Sequence, residues 1–350
     1  MLATSEFLTH LPKCEHHVHL EGTLEPSLLF QLAHRNNIQL PDDFPKSVEA
    51  LQYRYQNFKD LQDFLNLYYV GMSVLITEQD FEDLAWAYLE KSSKQGLKHV
   101  EAFFDPQGHV DRGIDLELVI GGFRKALVRA EKELGMSTKL IMCLLRHLPP
   151  SEGLATIKSF APYYKKGWIH GMGLDSSEVE FPPELFTSCY QYARSSLPKE
   201  VHYTAHAGEE AGSDYVRRSL KCLGISRIDH GVHSADDPEL MKQLAERDIM
   251  LTVCPLSNKR LQVVDDVSQV PIRKFLEYGV PFSINSDDPA YFGGYILDNY
   301  LAVQEAFKLN VDEWIKIAKN SVRGSWVSEK RKKDLYRMID ECERAYSTVE

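Results

Sequence analysis

Basic residues are in short supply. The chain has 40 Lys and Arg against 51 Asp and Glu, a net charge of −11 and a pI near 5.7. That balance argues against nucleic acid or an anionic membrane as the main partner, because both select cationic protein faces. It leaves a small neutral or cationic ligand open. Long apolar runs are missing too. No stretch approaches the roughly 18 apolar residues that a membrane helix needs. Met1–His10 shows no basic segment followed by an apolar one, so no secretory signal is expected. Cysteine is sparse: Cys14, Cys143, Cys189, Cys222, Cys254 and Cys342 stand singly, none in a C-x-x-C pair. That pattern fits free thiols in a reducing compartment rather than a disulfide framework. No Gly-, Ser- or Pro-rich linker divides the chain, so residues 1–350 are expected to form one domain of a cytoplasmic protein.

What is present is an alternation of helix-like and strand-like segments. Thr77 and Asp80 form a capping box, and Phe81, Leu84, Ala85, Tyr88 and Leu89 follow helical spacing, with Gly96 closing the segment before an apolar run at Leu97–Phe104. The unit recurs. Helices near Asp115–Leu134, Glu152–Tyr163, Pro183–Ser195, Ser213–Leu223, Pro238–Arg247 and Pro271–Tyr278 precede apolar runs at Leu140–Leu145, Ile169–Leu174, Val201–Ala205, Ile225–Ile228, Ile249–Val253 and Val280–Ile284. With Cys14–His19 first, these make eight strands. Their apolar residues run on without alternating, as in parallel strands buried on both faces. Eight helix–strand units predict a (β/α)8 barrel, with an open doubly wound sheet second. The aromatic-rich insertion at Pro41–Ile76 reads equally as a helical hairpin with its own small core and as a lid. The charged segment Val311–Tyr346 is expected to pack as helix on the outside.

Chemistry-bearing residues gather at the ends of the apolar runs: Cys14–Gly22 (C-E-H-H-V-H-L-E-G), Thr204–Glu210 (T-A-H-A-G-E-E), Ile228–Gly231 (I-D-H-G) and Ser283–Pro289 (S-I-N-S-D-D-P). In a barrel, C-terminal strand ends build the active site. His17 and His19, two apart on a strand, share a face, which turns His16 to the other. Asp287 and Asp288 would repel one another unless a cation lay between them. Three imidazoles and a carboxylate suit zinc with a position left for water. Zinc lowers the pKa of bound water from about 15.7 to about 7. Glu209 and His230 are the candidate acid and base. Cys254 is expected to be a packed thiol. Taken together the pattern predicts a metal-dependent hydrolase.

The motifs H-V-H-L-E-G, T-A-H-A-G-E, D-H-G and N-S-D-D-P resemble, in order, those of the adenosine/adenine deaminase family of the amidohydrolase superfamily. The resemblance implies one Zn2+ per subunit, held by His17, His19, His206 and Asp287, and water attack at C6 of a purine with loss of ammonia. It makes Glu209 the proton donor to ring N1, His230 the group that orients and deprotonates the water, and Asp288 the hydrogen-bonding partner of N7. Two departures bear on the substrate. Glu21 stands where nucleoside-acting members have aspartate, and Gly173–Glu178 (G-L-D-S-S-E) replaces their D-L-x-G. With Phe103–Gln107 (F-F-D-P-Q), these are similar to the fungal branch that acts on the free base. Glu178 and Glu21 are therefore expected at the substrate, and adenine, converted to hypoxanthine in purine salvage, is the expected substrate. Adenosine deamination is the alternative, and a non-catalytic purine-binding regulator a distant third. The same branch implies nuclear presence besides the cytoplasm. Oligomeric state stays open.

Overall fold

The computed structural model describes residues 1–347; the last three residues of the expected domain lie outside the described residues. Eight parallel strands follow one another around a single sheet in chain order: β1 Lys13–Glu15, β2 Leu97–Phe104, β3 Ser137–Leu145, β4 Gly171–Asp175, β5 His202–Ala207, β6 Arg227–His230, β7 Met250–Val253 and β8 Phe282–Ile284. Helices connect them, giving the expected (β/α)8 barrel. The barrel closes through single backbone bridges rather than a continuous ladder. Asp287 N–H donates to His17 O at 3.0 Å and His19 N–H donates to Asp287 O at 2.9 Å, while Phe103 N–H donates to Val18 O at 2.8 Å.

β2, β3, β7 and β8 end where their apolar runs end, and the other strand ends differ from the sequence expectation. β5 and β6 run on to Ala207 and His230, two residues beyond their apolar runs, because their polar C-terminal residues still pair with neighbouring strands. The first strand does the opposite. Its regular ladder stops at Glu15, with a register shift between Lys13 and Cys14. Alternation therefore fails at His16, and the expected opposite-face placement is corrected. The His16 ring lies inside the barrel, with Nδ1 3.1 Å from Ser283 Oγ and Nε2 2.7 Å from Ser325 Oγ.

The insertion forms two helices, Val48–Tyr55 and Leu61–Met72. Phe58 packs on Tyr55 and Phe64 within the hairpin, and Phe64 and Tyr68 pack on Tyr291 after β8, so its aromatics are continuous with the barrel's core rather than a separate one. The C-terminal segment forms helices Val311–Gly324 and Glu329–Ser347. Its expected place on the outside needs correcting at the joint between them, which closes the barrel floor. There Trp326 packs on the interior residues Phe103, Ile141 and Cys143.

The floor is held by a buried ion pair. Arg227 Nη1 lies 2.6 Å from Glu101 Oε2, Arg227 Nη2 donates to Gly324 O at 2.7 Å, and the guanidinium sits 3.8 Å over the Trp326 ring. Glu101 also accepts from the Trp326 backbone N–H and bonds His99 Nε2 at 2.9 Å. Burial acts to raise the Glu101 carboxyl, but Arg227 and His99 outweigh it and hold the group well below the usual carboxylate range. Removing one member strands the other charge in the interior. Arg227→Met is expected to cost about 3–5 kcal/mol, read as a lowered denaturation midpoint; a loss under about 1 kcal/mol would contradict a tightly coupled floor.

Candidate active site

His17 and His19 lie beside the barrel seam, His206 is the penultimate residue of β5, and Asp287 follows β8. All four are buried. Their ligand atoms converge: His19 Nε2 to His206 Nε2 is 3.3 Å, His17 Nε2 to Asp287 Oδ1 is 3.1 Å, and His19 Nε2 to the same Oδ1 is 3.5 Å. Bonds of about 2.0–2.1 Å to a tetrahedral zinc put neighbouring ligand atoms about 3.3–3.4 Å apart. His17 Nε2 has no hydrogen-bond partner although it is fully buried. The donor set and its spacing fit a divalent cation.

An oxygen lies behind each imidazole, within hydrogen-bond distance only at His17. His17 Nδ1 lies 2.8 Å from Thr252 Oγ1, His19 Nδ1 3.6 Å from Asp175 Oδ2, and His206 Nδ1 3.6 Å from Asp229 Oδ2. The hydrogen bond at His17 Nδ1, and the carboxylates facing the other two Nδ1 atoms, favour the tautomer whose Nε2 lone pair points inward, as metal binding requires. Asp229 ties two of these contacts together, accepting from Thr204 Oγ1 at 2.8 Å and Thr252 Oγ1 at 3.2 Å. Asp287 Oδ2 accepts from Ser257 Oγ at 2.7 Å. Glu15, fully buried, accepts from Ser286 N at 2.8 Å and so anchors the turn that presents Asp287.

Asp287 and His230 both adopt left-handed backbone, with φ of 62° and 65°. Such conformations cost free energy in non-glycine residues and collect at functional sites. His230 Nε2 lies 3.3 Å from Glu209 Oε2 and 3.8 Å from Asp287 Oδ2. Burial, with His17 beside it, pulls the His230 imidazole down to about 3, leaving it neutral. Burial, then Asp287 and Glu178, push the Glu209 carboxyl well above its ordinary range. Burial and Asp287 do the same to Asp288, whose Oδ1 has no partner. Gly22 of the first motif lies flat on Asp288; a Cβ there would fall 1.8 Å from Oδ1.

These groups open on one small cavity, lined by His19, His206, Glu209, His230, Asp287 and Asp288. Leu61, Phe64, Leu65 and Tyr68 of the insertion also line it, so the hairpin covers the cavity. Two carboxylates in the wall, Asp105 and Asp175, were not singled out from the sequence; both end the apolar runs of their strands, the position that identified the others.

Glu178 and Glu21 are placed differently from expectation: neither lines the cavity. Glu178 turns its carboxylate to the next strand's loop, Oε2 accepting from Gly208 N at 3.0 Å and Oε1 from Glu209 N at 2.9 Å. Glu210 Oε2 answers by accepting from Glu178 N at 2.8 Å and Ser177 Oγ at 3.1 Å. The two loops are thus clamped reciprocally. Glu21 Oε1 accepts from Asp105 N at 3.1 Å and bonds His109 Nε2 at 2.7 Å, one layer behind the wall. Both oxygens of Glu178 and one of Glu21 are therefore occupied by the protein itself. Cys254 is buried among His17, His230 and Asp287, and burial, then Asp287, raise its thiol well above the ordinary range.

The adenosine deaminase family model matches residues 12–342. An adenine deaminase of Candida albicans is 58% identical over 341 residues, covering 97% of this chain and 96% of that protein. Among solved structures, an adenine deaminase from Arthrobacter aurescens is 41% identical, with a TM-score of 0.89 over 95% of this chain and 98% of that one. An amidohydrolase from Burkholderia ambifaria with bound Zn is 25% identical, with a TM-score of 0.87 over 99% and 96%.

If Asp229 fixes the imidazole tautomers, Asp229→Ala is expected to weaken zinc binding about 10- to 100-fold, measured by competition with a chromogenic chelator. Unchanged affinity would remove Asp229 from the metal centre's support.

Proposed function

This chain belongs to the adenosine deaminase family, and on that premise we propose that it is a zinc-dependent adenine deaminase of purine salvage, converting adenine and water to hypoxanthine and ammonia. The observation that carries the reading is the convergence of three imidazole Nε2 atoms and Asp287 beside the Glu209–His230 pair in one cavity. The high identity to adenine deaminases supports the free base as substrate. His17, His19, His206 and Asp287 would hold one Zn2+ per subunit, a reading supported by the zinc-bound relative.

A cation held there supplies Lewis acidity that makes a water nucleophilic near neutral pH. The chain's own residues do the rest. His230, neutral and within reach of both Glu209 and Asp287, orients the water and takes its proton. Glu209, held protonated by burial and its acidic neighbours, gives a proton to ring N1 and raises the electrophilicity of C6. Asp288 hydrogen-bonds the N7 edge. Water adds its oxygen at C6, the C6 amino group departs as ammonia, and the C6 carbonyl of hypoxanthine remains. The Leu61–Met72 helix covers the cavity and keeps bulk water from the reacting carbon. The proposal takes residues 1–350 as one catalytic domain working in the cytoplasm and nucleus, in keeping with six cysteines that are all unpaired.

Ammonia release from adenine and adenosine by purified protein of known zinc content tests the reading. Adenine is expected to be favoured by about 10³-fold or more, as for a site whose buried polar groups go unpaired with the wrong ligand; preference for adenosine would overturn the substrate and leave the metal centre standing. The clamp on Gly208–Glu209 makes Glu178 a positioning residue. Glu178→Gln is expected to lower kcat about 100-fold, the scale of a misplaced catalytic group, with KM, zinc content and the adenine-to-adenosine ratio unchanged. A shifted ratio would return Glu178 to the substrate's side.

A further inference from the structure

We infer that Asp105 is the residue that selects the free base: its carboxylate accepts a hydrogen bond from the imidazole N–H of the purine, the group that a nucleoside replaces with a bond to sugar. The inference rests on the adenine reading above and names the side chain that enforces it.

Asp105 follows β2 directly and is 3% exposed. It lines the cavity, and no nitrogen donor of the protein reaches its Oδ1. Its backbone is pinned by the bond from its N–H to Glu21 Oε1, and the next residue is Pro106, which opens a short helix. No Lys or Arg is paired with it among the described residues; its neighbours are the carboxyls of Glu21 and Asp175, the latter within hydrogen-bonding reach, and the rings of His19 and His109. A buried acceptor left unpaired is costly, and that cost is relieved when a ligand brings the missing donor.

Adenine offers N–H groups at two places. The exocyclic amine must lie at the metal end, because it leaves as ammonia. The imidazole N–H is the donor that remains. Of the other acids in the wall, Asp288 packs beside Asp287 at the metal end, and Asp175, whose oxygens also lack a hydrogen-bond partner, lies 3.6 Å from Nδ1 of the metal-side His19. Asp105, pinned through its backbone to Glu21, is the acid assigned to the ring's remaining donor. The placement also accounts for Glu21, which does not touch the ligand but holds the Asp105 backbone. His109 and Arg112 support Glu21 from behind, with His109 Nδ1 2.8 Å from Arg112 Nη2.

The test compares adenine with 9-methyladenine as substrates, and hypoxanthine with 9-methylhypoxanthine as competing ligands, for wild type, Asp105→Ala and Asp105→Asn. Zinc content and thermal midpoint are recorded for each, and the isosteric Asn variant guards against misfolding of the Ala variant. Wild type is expected to prefer the unmethylated purine in both assays. Both variants are expected to lose about 10- to 100-fold on adenine and hypoxanthine, the scale of a hydrogen bond to a charged group, while the methylated ligands change less than about threefold. Wild-type constants for adenine in either well-folded variant, or equal losses on methylated and unmethylated ligands, would overturn the assignment. Wild type that turns over no adenine at all would instead remove the premise, and is recognised by failing before any variant is compared.

Discussion

The structure depends on how the barrel closes. The first and last strands do not meet in a regular ladder; they meet where His17 O accepts from Asp287 N–H and Asp287 O accepts from His19 N–H. The same three residues carry three of the four converging ligand atoms. Closing the fold and assembling the metal centre are therefore one event, and backbone hydrogen bonds rather than flexible side chains set the distance between ligands. This explains why the ladder is irregular there. A continuous β1 would alternate its side chains, whereas the break after Glu15 lets His16 reach the floor while His17 and His19 face the cavity. It also gives Glu15 its place, since holding Ser286 holds the residue before Asp287.

A second constraint is charge. Asp105, Asp175, Glu209, Asp287 and Asp288 all line one small cavity, and among the described residues no Lys or Arg lines it with them. Left alone, such a group of acids repels. The fold answers with three imidazoles, with protonation of the most buried acids, and with a donor set suited to a cation. The opposite end of the barrel behaves differently. There Glu101 is matched by Arg227, so that pair serves stability. The unmatched groups collect at the end where the strands' C-termini open.

How far the site was legible can be judged residue by residue. His17, His19, His206, Glu209, His230, Asp287 and Asp288 stand in short motifs at strand ends, and the structure brings all seven to one place. Local spacing and the rule that barrel sites lie at C-terminal strand ends were enough for that. Asp105 and Asp175 stand at equivalent strand ends but were passed over, because a single acid before a Pro or a Ser carries no spacing signal. Glu178 and Glu21 were read as ligand contacts because they replace smaller residues in the motifs. The structure gives both to backbone amides instead, and no property of a carboxylate's own sequence neighbourhood says which amide it will meet.

The sequence by itself determined the architecture, through eight buried runs separated by helices, and the chemical identity of the reacting groups, through His and acid residues at the ends of those runs. Both are local properties: strand burial and side-chain type are written within a few residues of one another. Only the tertiary structure decided which oxygen lies behind which imidazole, that the Glu178 carboxylate accepts from the Gly208 and Glu209 amides, and that Asp105 joins the cavity wall. Those outcomes join Thr252 to His17 across 235 positions and Glu21 to Asp105 across 84. Pairings of that range are settled by strand register and by competition among many buried acceptors for few donors, and neither is visible until the barrel has closed.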